Sequence, residues 1–284
     1  MTTDATGFKD AVREQWTHAA GVWGKWHPKF SEMSREATQH LCDAADLKAG
    51  QSVLDLAGGT GEPSLSVAAR VAPAGDVTCT DFVPEMVAVA QANAADANVA
   101  NIKFQQVDAE SIPFPDASFD RVVSRFGVMF FPDTQKALGE IRRVLKPGAR
   151  ATFAMWQTTA KNPWFEEINA VVARSGHFTP PPPGMPTPFR FGEAGSLPSE
   201  LRSAGFEHVS EKPHEISWSW PGSPEEYLEF VEGTMPAFRK ALESSGADAK
   251  RVKEDMLGVV AQHYDGERVS VPGNIFVVTA QKPG

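Results

Sequence analysis

Cysteine is nearly missing from this chain, with Cys42 and Cys79 the only two in 284 residues. Two thiols cannot make a disulfide framework or a thiolate metal cluster, and no metal is expected. Positive charge is also short. The 27 Lys and Arg against 36 Asp and Glu leave a formal net charge of −9. With no basic run to offset it, a nucleic-acid partner is not expected. No apolar run nears the roughly 20 residues that cross a bilayer. Met1 to Thr6 lack the charged and apolar parts of a signal peptide. The expectation is a soluble, cytoplasmic protein with no membrane span. With 42% hydrophobic and 22% charged residues the chain has material for a packed core.

One stretch organises the rest: Val53-Leu54-Asp55-Leu56-Ala57-Gly58-Gly59-Thr60-Gly61-Glu62-Pro63. An apolar strand breaks into a glycine turn, and Pro63 suits the first turn of a following helix. Glycines there let a ligand lie against bare backbone. Asp55 sits inside the apolar run, where a carboxylate is costly to bury without a hydrogen-bonding partner. From residue 52 to 157 strands and helices then alternate, with strands at 76–81, 102–109, 119–126 and 149–156. A helix over 133–145 is stopped by Lys146-Pro147-Gly148. That rhythm predicts a doubly wound α/β fold around a parallel sheet. Residues 8–45 read as helical and aromatic, with Phe8, Val12 and Trp16 on one face and a short, glycine-punctuated stretch around Gly21 and Gly24. Residues 158–192, including Pro180 to Gly184, and residues 221–268, with proline breaks at Pro224 and Pro236, read as insertions.

In open α/β sheets ligands bind beyond the carboxyl ends of the strands. Asp55, Asp81 and Asp108 fall at or near three such ends. Asp81 follows Gly61 at about 20 residues, the spacing at which a carboxylate meets ribose hydroxyls. The pattern fits an adenosyl ligand: Asp81 accepts the ribose O–H groups and Asp108 the adenine amine, while Asp55 organises the turn or meets an ammonium. A nicotinamide cofactor, and with it an oxidoreductase, is the weaker alternative. The third glycine of the dinucleotide fingerprint is replaced by Ser64, and Glu62 occupies the helix start that would greet a pyrophosphate.

The stretch Val53 to Gly61 resembles the first motif of class I S-adenosylmethionine-dependent methyltransferases. Thr80-Asp81-Phe82-Val83-Pro84-Glu85-Met86 resembles their acidic second motif, and Asp108 to Asp120 their third with the approach to the fourth. Arg143-Val144-Leu145-Lys146-Pro147-Gly148, Ala204-Gly205-Phe206 and Val277-Val278-Thr279-Ala280 are similar to later landmarks of that family. The nearest branch is the small-molecule enzymes of ubiquinone and menaquinone biosynthesis. The resemblance implies a Rossmann-like seven-stranded sheet, mostly parallel with an antiparallel last strand, carrying helical cap insertions. The chain then divides into a helical cap (1–48), a core (49–157, 193–220 and 269–284) and two insertions (158–192 and 221–268). S-adenosyl-L-methionine is the implied cofactor. Ala57, Gly58, Gly59 and Gly61 would meet its methionine part. Asp81 would hold the ribose, Phe82 or Met86 would flank adenine, and Asp108 and Ala109 would read its edge. The backbone at Arg125 would approach the amino group or sulfonium. The family's usual first glycine is Ala57 here, a mild departure.

Methyl transfer from a sulfonium is an in-line displacement in which the cofactor carries the reactivity. Alignment contributes about 7–11 kcal/mol, against about 10²–10⁴-fold for a general base, so a dedicated base is optional. No histidine falls in a catalytic arrangement; His18 and His27, in the aromatic entry segment, are the two to test. Trp156, Trp164, Phe178, Trp218, Trp220 and Tyr227 make a small apolar or aromatic acceptor the expected substrate, with the insertions as its pocket and lid. A subunit interface in a homo-oligomer is the other reading of the insertions. A non-methylating role on the same fold, as a cyclising or binding module, is the other reading of the function.

Overall fold

The computed structural model describes residues 5–176 and 186–284. The chain opens with helices α1 (Ala5–Met33) and α2 (Arg35–Ala44). It continues through β1 (Ser52–Leu56), α3 (Ser64–Val71), β2 (Asp76–Asp81), α4 (Pro84–Asp96), β3 (Ile102–Gln106) and β4 (Phe119–Arg125). Then come α5 (Thr134–Val144), β5 (Leu145–Trp156), α6 (Pro163–Arg174), α7 (Ser196–Ser203) and β6 (Glu207–Pro221). Helices α8 (Pro224–Thr234), α9 (Pro236–Ser244) and α10 (Ala249–Ala261) lead to β7 (Arg268–Gln281).

The seven strands form one sheet in the order β3-β2-β1-β4-β5-β7-β6. Strands β1 to β5 pair parallel, and β7 runs antiparallel between β5 and β6. This is the expected architecture. Its inner strands are buried on both faces: Val53, Leu54, Val77, Val122, Val123 and Phe153 are all 0% exposed, as helix-covered parallel strands must be. Helix α5 buries Ala137, Leu138, Ile141 and Val144, one stripe at helical spacing. Its start is capped by the Asp133 carboxylate, which accepts from Lys136 N–H at 3.0 Å. Prolines at the first turns of α4, α6, α8 and α9 start those helices rather than interrupt them. Among the described residues no helix is long and apolar enough to cross a membrane.

Helix α1 is continuous through Gly21 and Gly24. A Cβ on Gly24 would lie 3.2 Å from Val89 Cγ1 of α4, so this glycine lets two helices approach. Three expectations need correction. Helix α3 begins at Ser64, with Pro63 just before it. Strand β3 stops at Gln106, because Asp108 turns the chain: its Oδ1 accepts from Glu110 N–H at 2.9 Å. Strand β5 already begins at Leu145, ahead of the Lys146-Pro147-Gly148 stop. Phe178 and Pro180 to Gly184 lie outside the described residues.

Candidate functional site

At the carboxyl ends of β1, β2 and β4 the structure encloses a cavity of about 1080 Å³. Of the residues singled out in the sequence, Ala57, Gly58, Gly59, Asp81, Phe82, Met86, Asp108, Ala109 and Arg125 line it. Asp55, Gly61, His18 and His27 are not in its wall.

The glycine turn is held from below. Asp55 is fully buried; its Oδ2 accepts from Ser64 Oγ at 2.6 Å, and its backbone carbonyl accepts from Thr80 Oγ1 at 2.8 Å. Burial pushes its carboxyl up to about 7, against the lowering pull of Ser64 and Arg125. Asp55 therefore organises the turn from beneath. Gly58 N–H donates to the Thr80 carbonyl at 2.8 Å, and a Cβ at Gly58 would meet Cys79 Sγ at 2.7 Å and Asp55 Oδ2 at 2.9 Å. Only glycine fits there. Gly59, with φ +54°, has open space where a Cβ would stand, so its backbone faces the cavity bare. Gly61, with φ +114°, rests against Ala90 of α4.

Asp81 closes β2 and grips the turn. Its Oδ2 accepts from Gly59 N–H and its Oδ1 from Val83 N–H, each at 3.0 Å. Each oxygen keeps a lone pair for a ligand hydroxyl. Burial raises its carboxyl to about 6, offset in part by those backbone donors. Next to it, Phe82 lies under the Arg13 guanidinium at 4.5 Å, and Met86 is 3% exposed.

Asp108 has a partner that the sequence does not announce. Lys9 of α1 bonds its Oδ2 at 2.7 Å and Glu110 Oε2 at 2.6 Å. A readable trace of this existed. Lys9, Trp16, Trp23 and Phe30 recur every seven residues, and all four line the cavity. One face of α1 thus runs along the cavity.

Arg125 acts through its side chain as well as its position at the end of β4. Buried at 7% exposure, it donates from Nη1 to Ser34 Oγ and Thr38 Oγ1 and from Nη2 to the Glu62 carbonyl at 3.0 Å. It ties α2 to the turn, and burial lowers its pKa. His27 Nδ1 lies 2.8 Å from Thr60 Oγ1, which supports the turn from the side of α1. Burial, then the Arg125 charge, pushes this imidazole down to about 4, so it is neutral at pH 7. His18 is exposed on α1.

Beyond the turn the wall becomes aromatic. Residues of both 158–192 and 221–268 contribute: Trp164 and Phe165 from α6, Phe189 from the following segment, Tyr227 and Phe230 from α8, and Phe238 from α9. Trp156 and Trp218 also line this part. Trp220 instead is fully buried against Trp26 and Phe230. The cavity therefore has two chemically distinct parts, a polar one built by the turn and the acids and an aromatic one built by α1, α6, α8 and α9.

Residues 53–148 match a family described as "Methyltransferase domain". The chain is 45% identical over 108 residues to the demethylmenaquinone methyltransferase of Thermus thermophilus, covering 38% of this chain and 48% of that protein. It is 36% identical over 154 residues to the ubiquinone/menaquinone biosynthesis C-methyltransferase UbiE of Hahella chejuensis, covering 51% and 62%. The matched stretch thus spans only about half of these curated relatives. Among solved structures, the YcgJ protein of Bacillus subtilis superposes with a TM-score of 0.57 over 88% of this chain and 99% of that one, at 20% identity. That likeness concerns the fold. The glycine turn falls within the matched span, which is similar to the methyltransferases of ubiquinone and menaquinone biosynthesis.

Proposed function

We propose that the protein is an S-adenosylmethionine-dependent methyltransferase acting on a small apolar or aromatic acceptor. The observation supporting this most directly is that Asp81 and the glycine turn share one cavity with the aromatic chamber. A nucleoside and a hydrophobic molecule can meet there. The residues present fit the cofactor: Gly59 offers bare backbone, and Asp81 offers two oxygens already oriented by backbone donors.

Asp81 would hold the ribose diol, Phe82 and Met86 would bracket the adenine, and Asp108 and Ala109 would take its edge. The turn from Ala57 to Gly61 would face the methionine portion, with Arg125 and His27 keeping that turn in place. Once bound, the sulfonium supplies the methyl group as an electrophile that needs no further activation. What the chain contributes is alignment and exclusion of water. The rings of α1, α6 and α8 would hold an acceptor beside the donor. Positioning of this kind contributes about 7–11 kcal/mol. The residues 158–192 and 221–268 then serve as acceptor pocket and cover, and the acidic chain takes a small molecule rather than a nucleic acid.

The test is incubation with methyl-labelled S-adenosylmethionine and a panel of phenols, hydroquinones and amines, alongside calorimetry with S-adenosylhomocysteine. Label is expected in an organic-extractable product. A chain that binds S-adenosylhomocysteine but labels no member of the panel would overturn methyl transfer. A chain that does not bind it would overturn the cofactor site.

A further inference from the structure

The junction between the two parts of the cavity is made by Phe126, which directly follows β4. Its φ is +58°, in the left-handed region that a bulky aromatic residue rarely occupies. Strain of this kind persists only where the surroundings enforce it, and it concentrates at functional sites. The enforcing contacts are visible. Phe126 N–H donates to the Ala154 carbonyl at 2.8 Å, which pins the turn to β5. The next residue, Gly127, is so closely packed that a Cβ there would lie 2.6 Å from Ala57 Cβ and 2.6 Å from Ser124 Oγ. The turn that carries Phe126 therefore rests on the turn expected to hold the methyl donor.

The ring is fixed as tightly as the backbone. It stacks on Trp156 with centroids 4.7 Å apart and planes 7° from parallel. Trp218 stands perpendicular to both, 83° to Trp156 at 4.7 Å and 90° to Phe126 at 6.0 Å. Two parallel rings and one upright ring form a right-angled corner, and all three line the cavity. Offset-stacked and edge-to-face arrangements are the ones aromatic rings favour. A flat ring can satisfy both walls of such a corner at once, whereas a puckered ring of the same outline cannot.

We propose that Phe126 is the specificity-determining residue of the acceptor side, holding a planar, uncharged ring against the Phe126–Trp156–Trp218 corner beside the donor. This deepens the proposed methyl transfer and rests on that reading for the identity of the neighbouring ligand.

The test uses two probes of one outline, 2-naphthol and its saturated counterpart decahydro-2-naphthol. Their binding is measured by calorimetry with and without saturating S-adenosylhomocysteine. The wild type should bind the planar probe at least about tenfold more tightly. Phe126→Leu, which keeps apolar bulk without a flat face, should bring that ratio below about threefold, and Trp156→Leu should do the same. Phe126→Tyr should retain it. Thermal unfolding of each variant identifies any that has lost its fold, and either Leu variant alone suffices to decide. A wild type without preference for the planar probe, or a folded Leu variant that keeps the wild-type ratio, would overturn the proposal. The measurement without S-adenosylhomocysteine separates this outcome from failure of the cofactor reading, which would show as no binding of that compound.

Discussion

Asp81→Asn is the sharpest single perturbation, since it preserves size and removes charge at the centre of the polar part of the cavity. In the wild type each carboxylate oxygen accepts one backbone N–H, from Gly59 and Val83, at 3.0 Å. An amide has one accepting oxygen and one donating NH₂, so one of those N–H groups would face a donor. It would also offer a ribose diol one acceptor in place of two. Hydrogen bonds to a charged group contribute about 1.5–3 kcal/mol each, against about 1 for neutral pairs. Losing one such bond and weakening the other costs about 3–4 kcal/mol of ligand affinity, which is about 10²–10³-fold in Kd. Calorimetric titration with S-adenosylhomocysteine measures it, with circular dichroism confirming that the variant is folded. The pH profile provides an internal check. Burial raises the Asp81 carboxyl from 3.8 to about 6, so the charged acceptor is lost as pH falls through about 6. Wild-type affinity should weaken below that pH, and Asp81→Asn should show no such inflection. An affinity within about threefold of wild type, or an inflection that survives in the variant, would refute the reasoning.

Two further substitutions probe the support beneath the turn. With its carboxyl raised from 3.8 to about 7, Asp55 holds a proton in the folded state that the unfolded chain releases. Its contribution to stability therefore falls as pH rises between those values, by up to about 1.4 kcal/mol per pH unit. Asp55→Asn should flatten that slope in a urea-unfolding series from acid to neutral pH, and an unchanged slope would count against it. His27 behaves oppositely. Its folded pKa of about 4 lies below the ordinary 6.5, so its contribution is complete above 6.5 and is lost as pH falls toward 4. His27→Ala should cost about 1–3 kcal/mol at pH 7 by removing the bond to Thr60, while turnover stays within a few-fold of wild type. If turnover instead drops by about 10²-fold or more with stability preserved, His27 is part of the chemistry.

What could be read in the sequence is what local chemistry dictates. The run Val53 to Gly61 had to be a strand and a tight turn, because apolar residues, a glycine-only contact and a buried acid leave little else. The parallel sheet followed from alternation, and the acids at its strand ends from Asp81 and Asp108. Long-range pairing was harder to read. Gly24 read only as punctuation because the neighbour it lets approach, Val89, lies far along the chain on α4. The seven-residue spacing puts Lys9 on the cavity face of α1, but its partner Asp108 was not legible, since that ion pair exists only after α1 folds across the sheet. Arg125 was legible as a position at a strand end but not as a tie to Ser34 and Thr38. Phe126 was invisible because its importance lies in a backbone angle and two rings from other strands.

The attachments of α1 are unequal along its length. The helix is 29 residues long and so extends about 43 Å. Its carboxyl-terminal half is fastened by rings as well as by ion pairs: Trp23 packs edge-on against Phe230, Phe30 against Trp218, and Trp26 meets Trp220 at 5.3 Å, beside the Lys25–Glu229 and Lys29–Glu226 pairs. Near its start it is fastened by the Lys9 ion pairs, whose Lys9 and Asp108 side chains remain 24% and 30% exposed. Salt weakens the ion pairs and not the ring contacts. Rising ionic strength is therefore expected to loosen the amino-terminal end of the helix first, because farther along the rings still hold it where its ion pairs to Glu226, Glu229 and Arg268 weaken.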